Sequence, residues 1–192
     1  MGRRKTIDRN VLLDIAEQIV GGQGAKALTI DALAKAAGIT KGGVQYSFRN
    51  KEALLDAIFE RWDQQYNSLY RSIAGDHPDA MEKVAGHVQA TRQADESANA
   101  RAASLMMALL ENPKQMAANR TWYRGIISDL DLSDEKARRM RLAFLASEGA
   151  FLLRSLGLLD IDDSEWQDMM DDVATTLLPG DDSGRQDPVD TE

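Results

Sequence analysis

The segment Thr29 to Leu55, TIDALAKAAGITKGGVQYSFRNKEALL, constrains the fold more than any other stretch. Thr29 is a good helix N-cap, and Ile30, Leu33, Ala34 and Ala37 follow at helical spacing. Gly38 stops that helix, because glycine reaches left-handed backbone angles at little cost. Ile39 then plugs the space between two helices, and Thr40 starts a second short helix with Val44 and Phe48 one turn apart. Two short helices around a tight turn with a Gly in it match the unit that sets its second helix in a DNA major groove. The expected fold class is all-α, and the expected chemistry is binding rather than bond breaking.

Net charge at first opposes that reading, since the whole chain stands at −8. The charge is unevenly spread. Residues 1–51 hold nine Lys/Arg against four acids, net +5, and the remainder holds 14 bases against 27 acids, net −13. A basic end on an acidic body is what a DNA-facing head would produce. Hydrophobic residues at 43% supply a core, and only four prolines favour helix throughout. The chain has no cysteine, so disulfides and thiolate chemistry are excluded. It has no run of 18 apolar residues, so no membrane partner is expected.

About nine helices are expected. The first covers about 9–20, with Gly21-Gly22-Gln23-Gly24 ending it. The fourth begins near Lys51 and runs to about Ile73, with a stripe of Leu54, Leu55, Ile58, Phe59, Trp62, Tyr66, Leu69, Tyr70 and Ile73. At 1.5 Å per residue it is roughly 33 Å long, enough to leave a small head and enter a second unit. Pro78 fits the first turn of a fifth helix. A sixth carries Ala102, Leu105, Met106, Leu109 and Leu110, and a seventh spans about 114–130. Ser133-Asp134-Glu135 opens an eighth that ends at Gly157. Asp162-x-x-Glu165 opens a ninth, an acid variant of the capping box. The expected units are a helix-turn-helix head over 1–52, a helical body over 53–178 and an acidic tail over 179–192.

The run from Thr29 through Lys51-Glu52-Ala53-Leu54-Leu55, with Val11 to Ala16 and Gly24 before it, resembles the N-terminal domain of TetR/AcrR-type bacterial transcriptional regulators. The resemblance covers about the first third of the chain. It implies DNA contact at the positions of Lys41, Gly42, Gly43, Gln45, Tyr46, Ser47 and Lys51. Thr29 and Thr40, at two helix starts, can add phosphate contacts. Lys41 can reach guanine O6/N7 or a phosphate, and Gln45 can bond adenine N6/N7. Lys51 is expected to clamp a phosphate, and Arg3, Arg4 and Lys5 can enter a minor groove. Gln45 and Ser47 depart from the aromatic and His common in relatives, so base preference does not transfer. The resemblance further implies a cytoplasmic homodimer on a palindromic operator, usually a repressor, often of an efflux pump or a catabolic gene. The last two helices are expected to pair across the dimer through Ala143, Ala146, Ser147, Gly149, Ala150, Trp166, Met169, Met170 and Val173.

The body is rich in Met and aromatic residues. Trp62, Tyr66, Met106, Trp122, Tyr123, Phe144 and Phe151 are expected to line an apolar effector pocket. Glu111 and Glu148 would make it suit a lipophilic cation. No cofactor and no metal are expected: the acidic run over 160–172 lacks metal-loop spacing. An enzyme has little support, with two histidines, His77 and His87, both expected at the surface, and no phosphate loop or nucleophile elbow. A helical protein-interaction module without DNA binding is the other alternative.

Overall fold

The computed structural model describes residues 8–93 and 112–178. Among the described residues the fold is all-helical, with eight helices: α1 (Arg9–Gln23), α2 (Ile30–Ala37), α3 (Lys41–Ser47), α4 (Lys51–Ala74), α5 (Ala80–Arg92), α6 (Pro113–Ile127), α7 (Glu135–Ser155) and α8 (Asp163–Leu177). The expected helix over 102–110, the basic arm Arg3, Arg4 and Lys5, and the tail over 179–192 lie outside the described residues. So do Met106 and Glu111.

Local side-chain chemistry explains the helix starts. Each of the eight begins on a short polar cap: Asp8, Thr29, Thr40, Asn50, Asp79, Asn112, Asp134 and Asp162. Each cap accepts from one or two of the first free backbone N–H groups, which stabilises a helix by about 1 kcal/mol. Two boundaries differ from expectation. α1 continues through Gly21 and Gly22 and ends where Gly24 takes a positive φ of 78°. Ile19 and Val20 are buried just before the glycines and hold that last turn in place. Pro78 lies before α5 rather than in its first turn, because Asp79 and Glu82 form a reciprocal capping box.

Among the described residues two hydrophobic clusters form. The first joins α1, α2, α3 and the start of α4 through Leu12, Leu13, Ala16, Leu28, Leu33, Val44, Phe48, Leu54, Ile58 and Phe59. The second joins α5 to α8 through Val84, Val88, Ile126, Met140, Phe144, Trp166 and Met170, with Tyr70 of α4 packed against it. α4 therefore serves both clusters. Trp62, expected in the effector pocket, packs against the first cluster instead. Helical periodicity identifies a buried stripe, but not the cluster that each turn faces.

The small residues expected at a dimer face are partly internal. Ala143, Ser147, Ala150, Trp166 and Met170 are all buried within the chain. Ala143, Ser147 and Ala150 let α7 approach its neighbours closely. The exposed leucines of α7 are different residues: Leu142, Leu145, Leu152 and Leu153.

α5 packs closely on α4 at Gly86, where an added Cβ would stand 2.6 Å from the Ala74 Cβ. Gly86→Ala should destabilise the protein by about 1–3 kcal/mol through overpacking. Urea denaturation measures this, and a midpoint equal to wild type would contradict the packing described.

Candidate nucleic-acid interface and effector site

α3 has two unlike faces. Val44 and the capping Phe48 are buried in the first cluster, which fixes the helix on α1 and α2. Gln45 and Tyr46 point outward, Tyr46 with 86% of its surface exposed. A large aromatic side chain held in water on a short helix adds nothing to the core, so it is available to a partner. Gly42 is open: apart from its chain neighbours and the backbone of its own helix, no described atom lies within 4 Å of an added Cβ there. Gly43 is closer-set: an added Cβ would meet Ile39 Cδ1 at 3.2 Å. Ile39 thus fills the turn as expected, and Gly43 accommodates it. Ser47 is half-buried.

The other expected DNA contacts have protein partners. The Thr29 hydroxyl accepts from Ala32 N at 3.0 Å, and that of Thr40 from Gly43 N at 3.2 Å. Both oxygens serve as caps first. Lys41 Nζ meets Asp31 Oδ2 at 2.9 Å, with both side chains exposed. Lys51 Nζ donates to the Ala25 carbonyl at 3.0 Å and is half-buried. Lys51 therefore staples the α1–α2 connection to the start of α4. Two of its three N–H donors remain for a phosphate.

In the body, five expected effector residues come together: Tyr66 of α4, Trp122 and Tyr123 of α6, and Phe144 and Glu148 of α7. At their centre is His87 of α5, expected at the surface but only 2% exposed. The signal for its burial was the spacing of Val84, His87, Val88 and Thr91, one face of a helix and all buried. His77, in the turn before α5, is exposed as expected. Phe151 packs half-buried against the second cluster.

One hydrogen-bonded chain crosses four helices. His87 Nε2 lies 2.7 Å from Glu148 Oε1. Tyr123 OH donates to Glu148 Oε2 at 2.6 Å. Tyr66 OH lies 2.5 Å from His87 Nδ1. A carboxylate only accepts, so we assign the ring proton to Nε2. In that tautomer Nδ1 accepts from the Tyr66 hydroxyl. Burial first, and the charge of Glu148 second, raise the Tyr66 and Tyr123 phenols well above their usual range, so both keep their protons. Aromatic rings enclose the chain: Trp122 stands edge-on to Tyr66 at 5.4 Å and to His87 at 5.5 Å, and Phe144 is 5.1 Å from His87.

α6 reaches α4 at a second point. Gln115 Nε2 donates to Asp56 Oδ1 at 2.9 Å, near the N-terminal end of α4. The helix that holds Glu148 through Tyr123 thus also touches α4 beside the first cluster.

An exposed reading helix on a small basic head, joined by one long helix to a helical body, defines a helix-turn-helix regulator. The family model for bacterial regulatory proteins of the tetR family matches residues 12–58, and that for the Tetracyclin repressor-like C-terminal domain matches residues 81–177. This chain belongs to the TetR family of transcriptional regulators. Its members regulate transcription and are not enzymes, which removes the enzyme alternative. The HTH-type transcriptional repressor KstR2 of Rhodococcus jostii is 35% identical over 65 residues, which cover 34% of this chain and 32% of that protein. The match thus spans about a third of that relative's length. A TetR-family regulator from Rhodococcus sp. superposes with a TM-score of 0.67 at 14% identity, covering 88% of this chain and 97% of its own. The SmeT–triclosan complex superposes with a TM-score of 0.62 at 17% identity, covering 90% and 92%. No described helix is long and apolar enough to cross a membrane.

Glu148→Ala should cost about 1–3 kcal/mol, because it leaves His87 Nε2 and Tyr123 OH buried without an acceptor. Thermal or urea unfolding measures this. Glu148→Gln, which keeps one acceptor, should cost less than Glu148→Ala, and the reverse order would contradict the proton assignment.

Proposed function

We propose that the chain is a dimeric repressor that binds a palindromic operator and is released by a small lipophilic effector carrying hydrogen-bond donors, best a cation. The observation that carries the DNA reading is α3, with Val44 and Phe48 anchored inside and Gln45 and Tyr46 offered outward. Residues 1–52, completed by the first turns of α4, form the proposed reading unit. Residues 53–178 form the proposed sensor and dimer unit, and the cytoplasm is the proposed compartment.

A stripe on α7 supports the dimer. Leu142, Leu145, Gly149, Leu152 and Leu156 recur at alternating steps of three and four, the spacing of a helix-pairing seam. Leu142 is 51% exposed and Leu145 54% exposed. Met169 and Val173 of α8 are half-buried and complete the proposed face. A second copy would cover these residues and set two α3 helices about one DNA turn apart, or a multiple of it.

The buried chain supports the effector class. Tyr66, His87 and Tyr123 each spend their proton on a neighbour within the chain. What remains to a ligand is acceptor capacity on Glu148 and the phenol oxygens. An acceptor-only head group, such as a carboxylate, has no partner there. A protonated amine or amidinium has both the donors and the sign of charge, and the surrounding rings add cation–π attraction. Entry of such a ligand beside Tyr66 would favour a different setting of α4. DNA affinity would then fall by the difference in ligand affinity between the two settings.

Selection of bound duplexes from random DNA should return a palindrome, with log affinity falling by about 0.9 per phosphate contact for each log unit of salt. Failure to bind any duplex at low salt would favour the plain interaction module. Leu145→Glu with Leu152→Glu should give a monomer by sedimentation and lose operator binding. A variant that stays dimeric contradicts the face named here. By calorimetry, an aryl amidinium should bind at least tenfold more tightly than the matching aryl carboxylate and lose that advantage in Glu148→Gln. Equal binding of the two contradicts the donor argument.

A further inference from the structure

Lys41 and Lys51, the two lysines expected to meet DNA, are held differently. Lys51 rests on a backbone carbonyl, which carries no net charge. Lys41, the first residue of α3, rests on the Asp31 carboxylate of α2 at 2.9 Å. Asp31 sits in the first turn of α2, where the positive end of the helix dipole favours an acid. An exposed ion pair of this kind contributes only about 0–1 kcal/mol to folding, so stability alone does not explain it. Its consequence for binding is larger. A net-negative carboxylate stands on the face that must meet phosphates, and it neutralises a lysine of the reading helix in the free protein.

We propose that Asp31 is a positioning residue for operator discrimination: it holds the Lys41 ammonium so that only a site outcompeting a carboxylate receives that lysine. The inference rests on the DNA-binding reading above. Against a random duplex the pair stays closed. The two charges cancel, and Lys41 releases no counterion from the phosphate backbone. Against an operator that places guanine O6/N7 or a fixed phosphate in reach, Lys41 exchanges partners. Discrimination arises because the acid subtracts from every contact but is overcome at one. A lysine without such a partner would strengthen binding to any duplex alike.

The test measures fluorescence anisotropy of wild type, Asp31→Asn, Lys41→Gln and the double variant, on the selected operator and on its scrambled sequence, between 50 and 200 mM salt. Asp31→Asn should bind the scrambled duplex more tightly and with a steeper salt dependence. One added phosphate contact steepens the log–log slope by about 0.9, so across that fourfold salt range its affinity should fall about 3.5-fold more than that of wild type. The operator-to-scrambled ratio should fall. The double variant should return the scrambled slope to the wild-type value. Lys41→Gln should reduce the operator slope more than the scrambled slope, and this arm stands even if Asp31→Asn folds poorly by thermal melt. The proposal is overturned if Asp31→Asn keeps the wild-type ratio and slope, or if Lys41→Gln reduces both slopes equally. A wild-type protein that binds neither duplex at 50 mM salt removes the underlying DNA reading and this proposal with it. Normal wild-type discrimination with an unresponsive Asp31→Asn removes the proposal alone.

Discussion

One helix belongs to two hydrophobic clusters, and the rest of the structure depends on that sharing. The first turns of α4 place Leu54, Ile58 and Phe59 in the head, and a later turn lays Tyr70 against the body. Asn50 caps its start, and Lys51 ties that start to the Ala25 carbonyl. Arg61 adds an ionic tie from α4 to Asp14 and Glu17 of α1. The head is thereby fixed on α4, and the setting of α4 in the body fixes the head. α5 packs at van der Waals distance through Gly86, so small shifts of α4 are resisted by close packing rather than absorbed.

The polar chain through the body lies on that same helix. Tyr66 is its α4 member, and His87, Glu148 and Tyr123 bring in α5, α7 and α6. A buried network of this kind stabilises only while every member is paired. It is therefore a sensitive place for a ligand to act, because replacing one partner obliges the others to rearrange. The Gln115–Asp56 bond gives α6 a second hold on α4 nearer the head. Polar groups at both ends of the molecule share one logic. His87 in the body and Lys41 in the head are each satisfied internally, and each can be released only by a stronger partner.

Much of the head was legible in the sequence because its signals are local. Thr29, Gly38 and Thr40 act within four residues of where they stand, and the structure places a cap, a left-handed stop and a second cap there. The burial of Val44 and Phe48 and the exposure of Tyr46 follow from the same register. The body was less legible, because its roles depend on partners distant in sequence. Trp62 belongs to a buried stripe, but nothing in the stripe says that it faces the head. His87 was expected in water because a single polar residue says little until Glu148, 61 positions away, is set against it. The leucines of α7 lie on several faces of that helix, so the outward seam at Leu142, Leu145 and Leu152 emerges only once Met140, Ala143 and Phe144 are seen to be inside. Of the small residues that suggested a dimer face, Ala143, Ser147 and Ala150 are buried inside the chain, while Gly149 lies on the proposed seam.

The most direct test of α4 as the element that sets the heads is the distance between them. The chain has no cysteine, so Glu52→Cys gives one spin-label site per copy, exposed at the start of α4. Pulsed electron spin resonance then reads the separation of the two labels. The account predicts a dipolar signal that narrows to a single distance on operator DNA and moves away from it when a lipophilic cation releases the DNA. The absence of any dipolar signal, or a distance that ignores both DNA and cation, would contradict it.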